Sequence, residues 1–298
     1  MISHLNEWLS TSPITFQSVE LSKAFLTFLM FSFIGWICEV LYVGIFYEHK
    51  FINRGFLYGP LCPIYGFGGI VILALPKQLQ NPVWVLFLSG IFFCSIVEYI
   101  GSWLLEKMFH AHWWDYSNMK ITIKGKTIPL NIKGRVCLLN SVLFGIMTVG
   151  VIDFVQPLIN RFFALFDDVY LNLANDIFAV ALLIDLTFTI HKLVDFTVYN
   201  ERIKDFIENA KEKFHSESWF KDTTMAEQLA SIKNRMETHR ENFNDSFSKK
   251  WDEFLIHQKN AERWIKKFPS ITSIKYRESI VHLKQKIKSY KHRNDSQN

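Results

Sequence analysis

The chain has 298 residues, enough for one large or two modest domains, and it is 49% hydrophobic and 16% aromatic with 28 phenylalanines. That composition is greasier than soluble globular proteins use. Its formal net charge of +5 is unevenly placed: residues 1–198 carry 12 Lys/Arg against 13 Asp/Glu, whereas residues 199–298 carry 21 against 15. Cys38, Cys62, Cys94 and Cys137 all lie in apolar runs, with no CxxC pair and no histidine at zinc-ligand spacing. This argues against a disulfide framework or a metal knuckle and for buried thiols within a membrane.

The opening "MISHLNEWLSTSPITF" lacks a basic leader and a small-residue cleavage site, so residues 1–23 read as an extracytoplasmic segment rather than a removable signal. Crossing a hydrocarbon core takes about 20 mostly apolar residues. Four runs meet that length: Ala24 to Tyr47, Val83 to Met108, Val136 to Ile159, and Ala174 to Tyr199.

A fifth run is broken. "NRGFLYGPLCPIYGFGGIVILALP" (Asn53 to Pro76) is apolar, yet its first half holds Gly55, Gly59, Pro60 and Pro63. Non-helical backbone is tolerated at membrane depth only where protein or a hydrated cavity covers it. A re-entrant or interrupted helix and an interfacial loop followed by a short tilted helix are the two readings. The fold class expected is all-α: a polytopic bundle of about five spans over residues 24–199, with a cytosolic helical or coiled-coil tail over 200–298.

Lys and Arg concentrate in the first and third connections and at the start of the tail, which places the N-terminus outside and the C-terminus in the cytoplasm of a multi-pass cell-membrane protein. "INRFFALFDDVYLNL", on the outer side, reads as a short amphipathic helix in the interface. In the tail, Ile203, Phe206, Ala210 and Phe214 recur at helical spacing. Met225, Leu229, Ile232 and Met236 follow, then Phe243, Phe247, Trp251, Phe254, Ala261 and Ile265. Pro269 ends that stripe, and Ile271, Ile274, Leu283 and Ile287 begin another. A self-packed domain, a homo-oligomer seam and a docking element for a protein partner all fit this pattern. No motif points to nucleic acid.

Ionisable side chains inside a bilayer are costly and mark candidate sites. Ser32, Gly35, Glu39 and Tyr42 share a face of the first run; Glu98 and Ser102 share one in the next, with Glu106 on its shoulder. Ser141, Gly145 and Thr148 align, and so do Asp185 and Thr189. Tight helix packing explains the small residues as well as a substrate path does. Packing does not explain Glu39, Glu98 and Asp185, which need a cation, a proton or a donor; Arg54 and Arg135 are the nearest bases. A structural ion-pair network and a translocation path both remain open.

In "HAHWWDYS", Trp113, Trp114 and Tyr116 suit an interfacial aromatic belt, and Asp115 with His110 and His112 offers acid–base chemistry without a third metal ligand. "IKGKTIPL" resembles a nucleotide loop but has Lys120 where the first glycine of a P-loop belongs. No cofactor or metal set is expected, and any ATP hydrolysis must come from a separate subunit. An intramembrane enzyme using Glu98, Asp115 or a histidine as base, with Arg135 holding a phosphate, is a further reading. It lacks a recognisable nucleophile and ranks behind a non-catalytic membrane scaffold or sensor with a partner-binding helical tail.

"FIGWICEVLY", "NRGFLYGPLCPIYGFG", "VEYIGSWLLEKMFHAHWWDYS" and "NIKGRVCLLNSVLFG", in that order, resemble the CmpB-like family of type IV ABC-transporter permeases, over about residues 25 to 195. The family pattern falls on Gly35, Trp36, Glu39, Asn53, Arg54, Gly55, Gly59, Pro60, Pro63, Tyr65, Gly66, Glu98, Tyr99, Glu106, Trp113, Trp114, Asp115, Tyr116, Asn131, Gly134 and Arg135. The resemblance implies a membrane permease subunit in the lipid bilayer with an ATP-binding partner. The insert "NMKITIKGKTIP" departs from the family pattern, and the tail lies outside it.

Overall fold

The computed structural model describes residues 19–43, 53–123, 126–213, 224–238, 245–273, 275–277, 279–285 and 287. Four helices carry stretches long and apolar enough to cross a membrane, as the run lengths require. In chain order the first is α1 (Val19–Val43). The short α2 (Pro63–Leu73) follows and starts on the proline, whose fixed φ and missing N–H suit a first helical turn. Next come α3 (Val83–Phe109), α4 (Leu138–Phe163) and α5 (Asp168–Lys213). The expected all-α membrane bundle is therefore observed, with α2 as the helical half of the broken run.

The chain divides into two compact units, Met1–Trp103 with Tyr116–Thr189, and Leu104–Asp115 with Ile190–Asn298. In the first unit α2 runs antiparallel to α1. A methyl on Gly35 would strike the ring of Tyr65, and one on Gly69 would strike Phe31. Phe28 meets Phe67 edge-on, with centroids 5.0 Å apart. Gly145 lies on Phe87 and Ile91, and Gly90 lies on Thr148, so the small-residue faces of α3 and α4 are packing surfaces. A second contact zone gathers Leu26, Phe31, Ile159, Phe163 and Leu171.

α4 is not uniform. It is α-helical over Leu138–Gly150, widens to one π turn over Val151–Val155, and resumes over Gln156–Phe163. The segment "INRFFALFDDVYLNL" is not a separate interfacial helix. It completes α4, turns at residues 164–167 with Leu165 and Phe166 amides bonded to Phe162 and Phe163, and begins α5. Only residues 164–167 separate the two helices, which leaves no length for an element lying flat.

Between α3 and α4 the chain forms a small hairpin absent from the helical expectation. β1 (Lys120–Ile123) pairs antiparallel with β2 (Lys126–Pro129), and two-residue strands β3 (Asn131–Ile132) and β4 (Val136–Cys137) pair beside it. Alternating Ile and Thr favour strand over helix here. Gly134 takes φ 69°, a left-handed conformation that costs glycine little, at the β3–β4 turn.

The second unit has its own core. Trp113 is only 1% exposed and meets Trp264 and Phe268 edge-on at 5.3 and 5.2 Å. It is thus a core residue and not part of an interfacial belt, because residues from the tail cover its ring. His112 and Thr272 exchange backbone hydrogen bonds of 2.8 and 2.9 Å. The helices α6 (Met225–Thr238) and α7 (Asp245–Lys267) belong to this unit. Ile203, Leu229, Ile232, Ala261, Ile265, Ile271 and Leu283 are buried, on the stripes read from the sequence. The side chains of Phe206, Ala210, Phe214, Met236, Phe243, Phe247, Trp251, Phe254 and Ile274 lie outside the described residues, as do residues 1–18 of the N-terminal segment.

All four cysteines are free thiols. Cys62 and Cys137 are buried, Cys94 is half-buried, and Cys38 is exposed on α1, so burial of the thiols holds for only part of the set.

Candidate functional site

The broken run supplies the site's centre. Asn53 folds it: its Oδ1 accepts from the Trp36 indole and from the Gly55 amide, both at 2.9 Å, and its Nδ2 donates to the Tyr58 carbonyl at 3.2 Å. The amide of Cys62 donates to the carbonyl of Ser32, midway along α1, at 3.0 Å. The amides of Tyr58 and Gly59 donate to Asp185, midway along the apolar length of α5, at 2.8 and 2.7 Å. These contacts set the irregular backbone level with the middles of two helices long and apolar enough to span, the arrangement that an interrupted crossing requires. At about 1.5 Å per residue, the eleven residues of α2 then cover roughly half of a 30 Å core.

Gly59 is required by this approach, since a Cβ there would lie 2.8 Å from Asp185 Oδ2. Asp185 Oδ1 also accepts from the Thr189 hydroxyl at 3.2 Å. A carboxylate within a bilayer is tolerated when such donors surround it. Glu39 sits nearby on α1: Tyr65 donates to its Oε1 at 2.8 Å, and Arg54 Nε approaches Oε2 at 3.9 Å.

A second polar group joins α3, α4 and the segment before the hairpin. Glu98 is 5% exposed and accepts from the Tyr116 hydroxyl at 3.2 Å, whose oxygen accepts from Asn140 at 2.6 Å. Burial and the neighbouring Glu98 charge push the Tyr116 phenol well above its usual range. Ser95 and Ser141 hydroxyls meet at 2.7 Å. Arg135 is buried with its guanidinium over the Tyr99 ring, 5.5 Å from the centroid. Asn131 accepts from the Gly134 amide at 2.9 Å and so shapes the turn leading to Arg135.

Of the residues singled out from the sequence, Glu39, Asn53, Arg54, Gly59, Tyr65, Glu98, Asn131, Arg135 and Asp185 fall in this unit. Glu106, Trp114 and Asp115 fall in the other. There Glu106 Oε1 meets His112 Nε2 at 2.8 Å, and Asp115 accepts from Thr272 at 3.1 Å. Asn140 and Ser95 were not singled out as site residues. Ser95 sits one turn before Glu98 on α3, and that spacing was the signal available.

A family model described as "Putative ABC-transporter type IV" matches residues 26–190, which contain every residue of the two polar groups just described. Comparison with curated proteins and with solved structures finds no match. The family model covers more than half of the 298 residues, and the helices it covers are those built to cross a bilayer. The protein is a membrane protein that belongs to the type IV ABC-transporter family so described.

Proposed function

We propose that this protein is the membrane subunit of an ABC-type transporter. In this reading the interrupted segment 53–62 and the carboxylates Glu39, Glu98 and Asp185 border the substrate path. Arg54, Tyr65, Asn131 and Arg135 shape its cytoplasmic side, with the N-terminus outside and residues 200–298 in the cytoplasm. The single observation that carries this reading is the irregular backbone at membrane depth. Broken helices whose amides and carbonyls face the interior are how transporters build binding sites in a bilayer. Residues 200–298 supply the docking or coiled-coil element for a nucleotide-binding partner, and the chain's own sequence has no P-loop.

The test is purification of the full chain from native membrane in mild detergent. An ATPase that co-purifies, together with transport lost in Glu39→Gln and Arg54→Ala variants that still fold, supports the reading. A chain that purifies without an ATPase, and whose phenotype depends only on residues 200–298, overturns it in favour of a membrane scaffold.

A further inference from the structure

Several hydroxyl side chains in the spanning helices bond locally. Ser32, Ser141, Thr187 and Thr197 donate to the carbonyls of Phe28, Cys137, Leu183 and Leu193, four residues earlier, at 2.8, 3.1, 2.8 and 3.3 Å. This is the default for a hydroxyl on an apolar helix. Ser102 departs from it, as does Ser22 near the start of α1. Ser102 is 1% exposed, and its Oγ has no hydrogen-bond partner among the described residues.

One turn earlier on the same face of α3 stands Glu98, whose Oε2 likewise has no partner among the described residues. Its Oε1 is supplied by Tyr116, and the direction of that supply is fixed. Asn140 Nδ2 can only donate to the Tyr116 oxygen, so the single phenolic hydrogen goes to Glu98. The chain of donors ends at the carboxylate and leaves Oε2 as a buried acceptor. Side chains four apart on a helix have Cβ atoms about 6 Å apart. The two oxygens thus belong to one face of α3, one turn apart, and neither bonds the other.

The charged surroundings suit a positive guest. Arg135 is drawn over the ring of Tyr99, the residue next to Glu98, and no ion pair among the described residues joins a Lys or Arg to Glu98. A buried carboxylate without a counter-charge is expensive, and a bound cation removes that cost.

We propose that Glu98 Oε2 and Ser102 Oγ form a binding site for a monovalent cation, either a sodium ion or the primary ammonium of a small amine. Glu98 supplies the charge and Ser102 a neutral oxygen. One carboxylate balances one positive charge, whereas calcium sites gather several oxygen ligands around two charges. The site lies within one unit of this chain and requires no nucleotide-binding partner. Its failure would leave the transport reading standing, and the reverse holds too.

The experiment is thermal unfolding of the detergent-purified full chain at fixed pH and ionic strength. N-methylglucamine chloride is replaced stepwise by sodium chloride in one arm and by methylammonium chloride in the other. A saturable rise in Tm is expected in one arm, and which arm responds names the guest. Glu98→Gln should abolish the rise, Ser102→Ala should raise the half-saturating concentration at least tenfold, and Glu106→Gln should leave it unchanged. Ser102→Ala keeps the test usable if Glu98→Gln does not fold. The proposal is overturned if neither cation gives a saturable shift, if acid alone stabilises the protein, or if the shift survives in both Glu98→Gln and Ser102→Ala.

Discussion

Asp185 is the anchor of the interrupted crossing, and removing it has a calculable effect. Its two oxygens accept the amides of Tyr58 and Gly59 at 2.8 and 2.7 Å. A hydrogen bond to a charged acceptor contributes about 1.5–3 kcal/mol, and an amide left without one costs about 1–3 kcal/mol. Asp185→Ala strands two amides at membrane depth, which predicts a loss of about 4 kcal/mol. Gly59→Ala places a Cβ 2.8 Å from Oδ2 and forces the carboxylate back, an overpacking penalty of about 2 kcal/mol. Once Asp185 is alanine, the atom that the new methyl strikes is gone. The Gly59→Ala cost should then fall below about 1 kcal/mol, giving a coupling of at least about 1 kcal/mol in a double-mutant cycle. Reversible unfolding in mixed micelles measures all four corners. Costs that add to within about 0.3 kcal/mol would refute the anchor.

Three further outcomes are expected. Trp113→Ala should destabilise the protein by about 3–5 kcal/mol in the same assay, as for a large core side chain and unlike a belt residue at the membrane surface. Tyr65→Phe, which removes the donor to Glu39, should cost about 1.5–3 kcal/mol while leaving the ring on Gly35 in place. Burial holds the Lys284 ammonium below the usual lysine range, with Asp115 opposing the shift. The folded state therefore sheds that proton before the unfolded state does. Stability should climb as pH rises from the depressed value toward about 10.4, and Lys284→Met should remove that climb in a pH series of Tm measurements.

The spanning helices were legible because an apolar run of a given length can do little else in a bilayer, and Gly59, Pro60 and Pro63 marked where the broken crossing fails to be helical. The identities of Glu39, Glu98 and Asp185 were legible as costs. Their partners were not. That Asp185 serves the amides of residues 58 and 59 depends on how α5 is set against a segment more than a hundred residues away, and no local pattern encodes that. The hairpin was readable in principle, since "ITIKGKTI" alternates about a Lys-Gly pair, but that pair drew the comparison with a nucleotide loop instead. Trp113 was misread for a related reason. An aromatic between two apolar runs looks like a belt until residues from the tail, outside the family resemblance, close over it.

The π turn at residues 151–155 sets the facing of everything after it in α4. Ahead of it, Gly145 and Thr148 turn toward Phe87, Ile91 and Gly90 of α3; beyond it, Ile159 and Phe163 join Leu26, Phe31 and Leu171. One surplus residue in the winding rotates the downstream stretch by about 100°, so a single helix can serve two sets of neighbours in succession. Trimming one residue from that turn would restore regular winding and yet swing Ile159 and Phe163 a quarter-revolution away from their companions. In this helix local perfection and correct assembly are opposed, and the irregularity is what lets the bundle close.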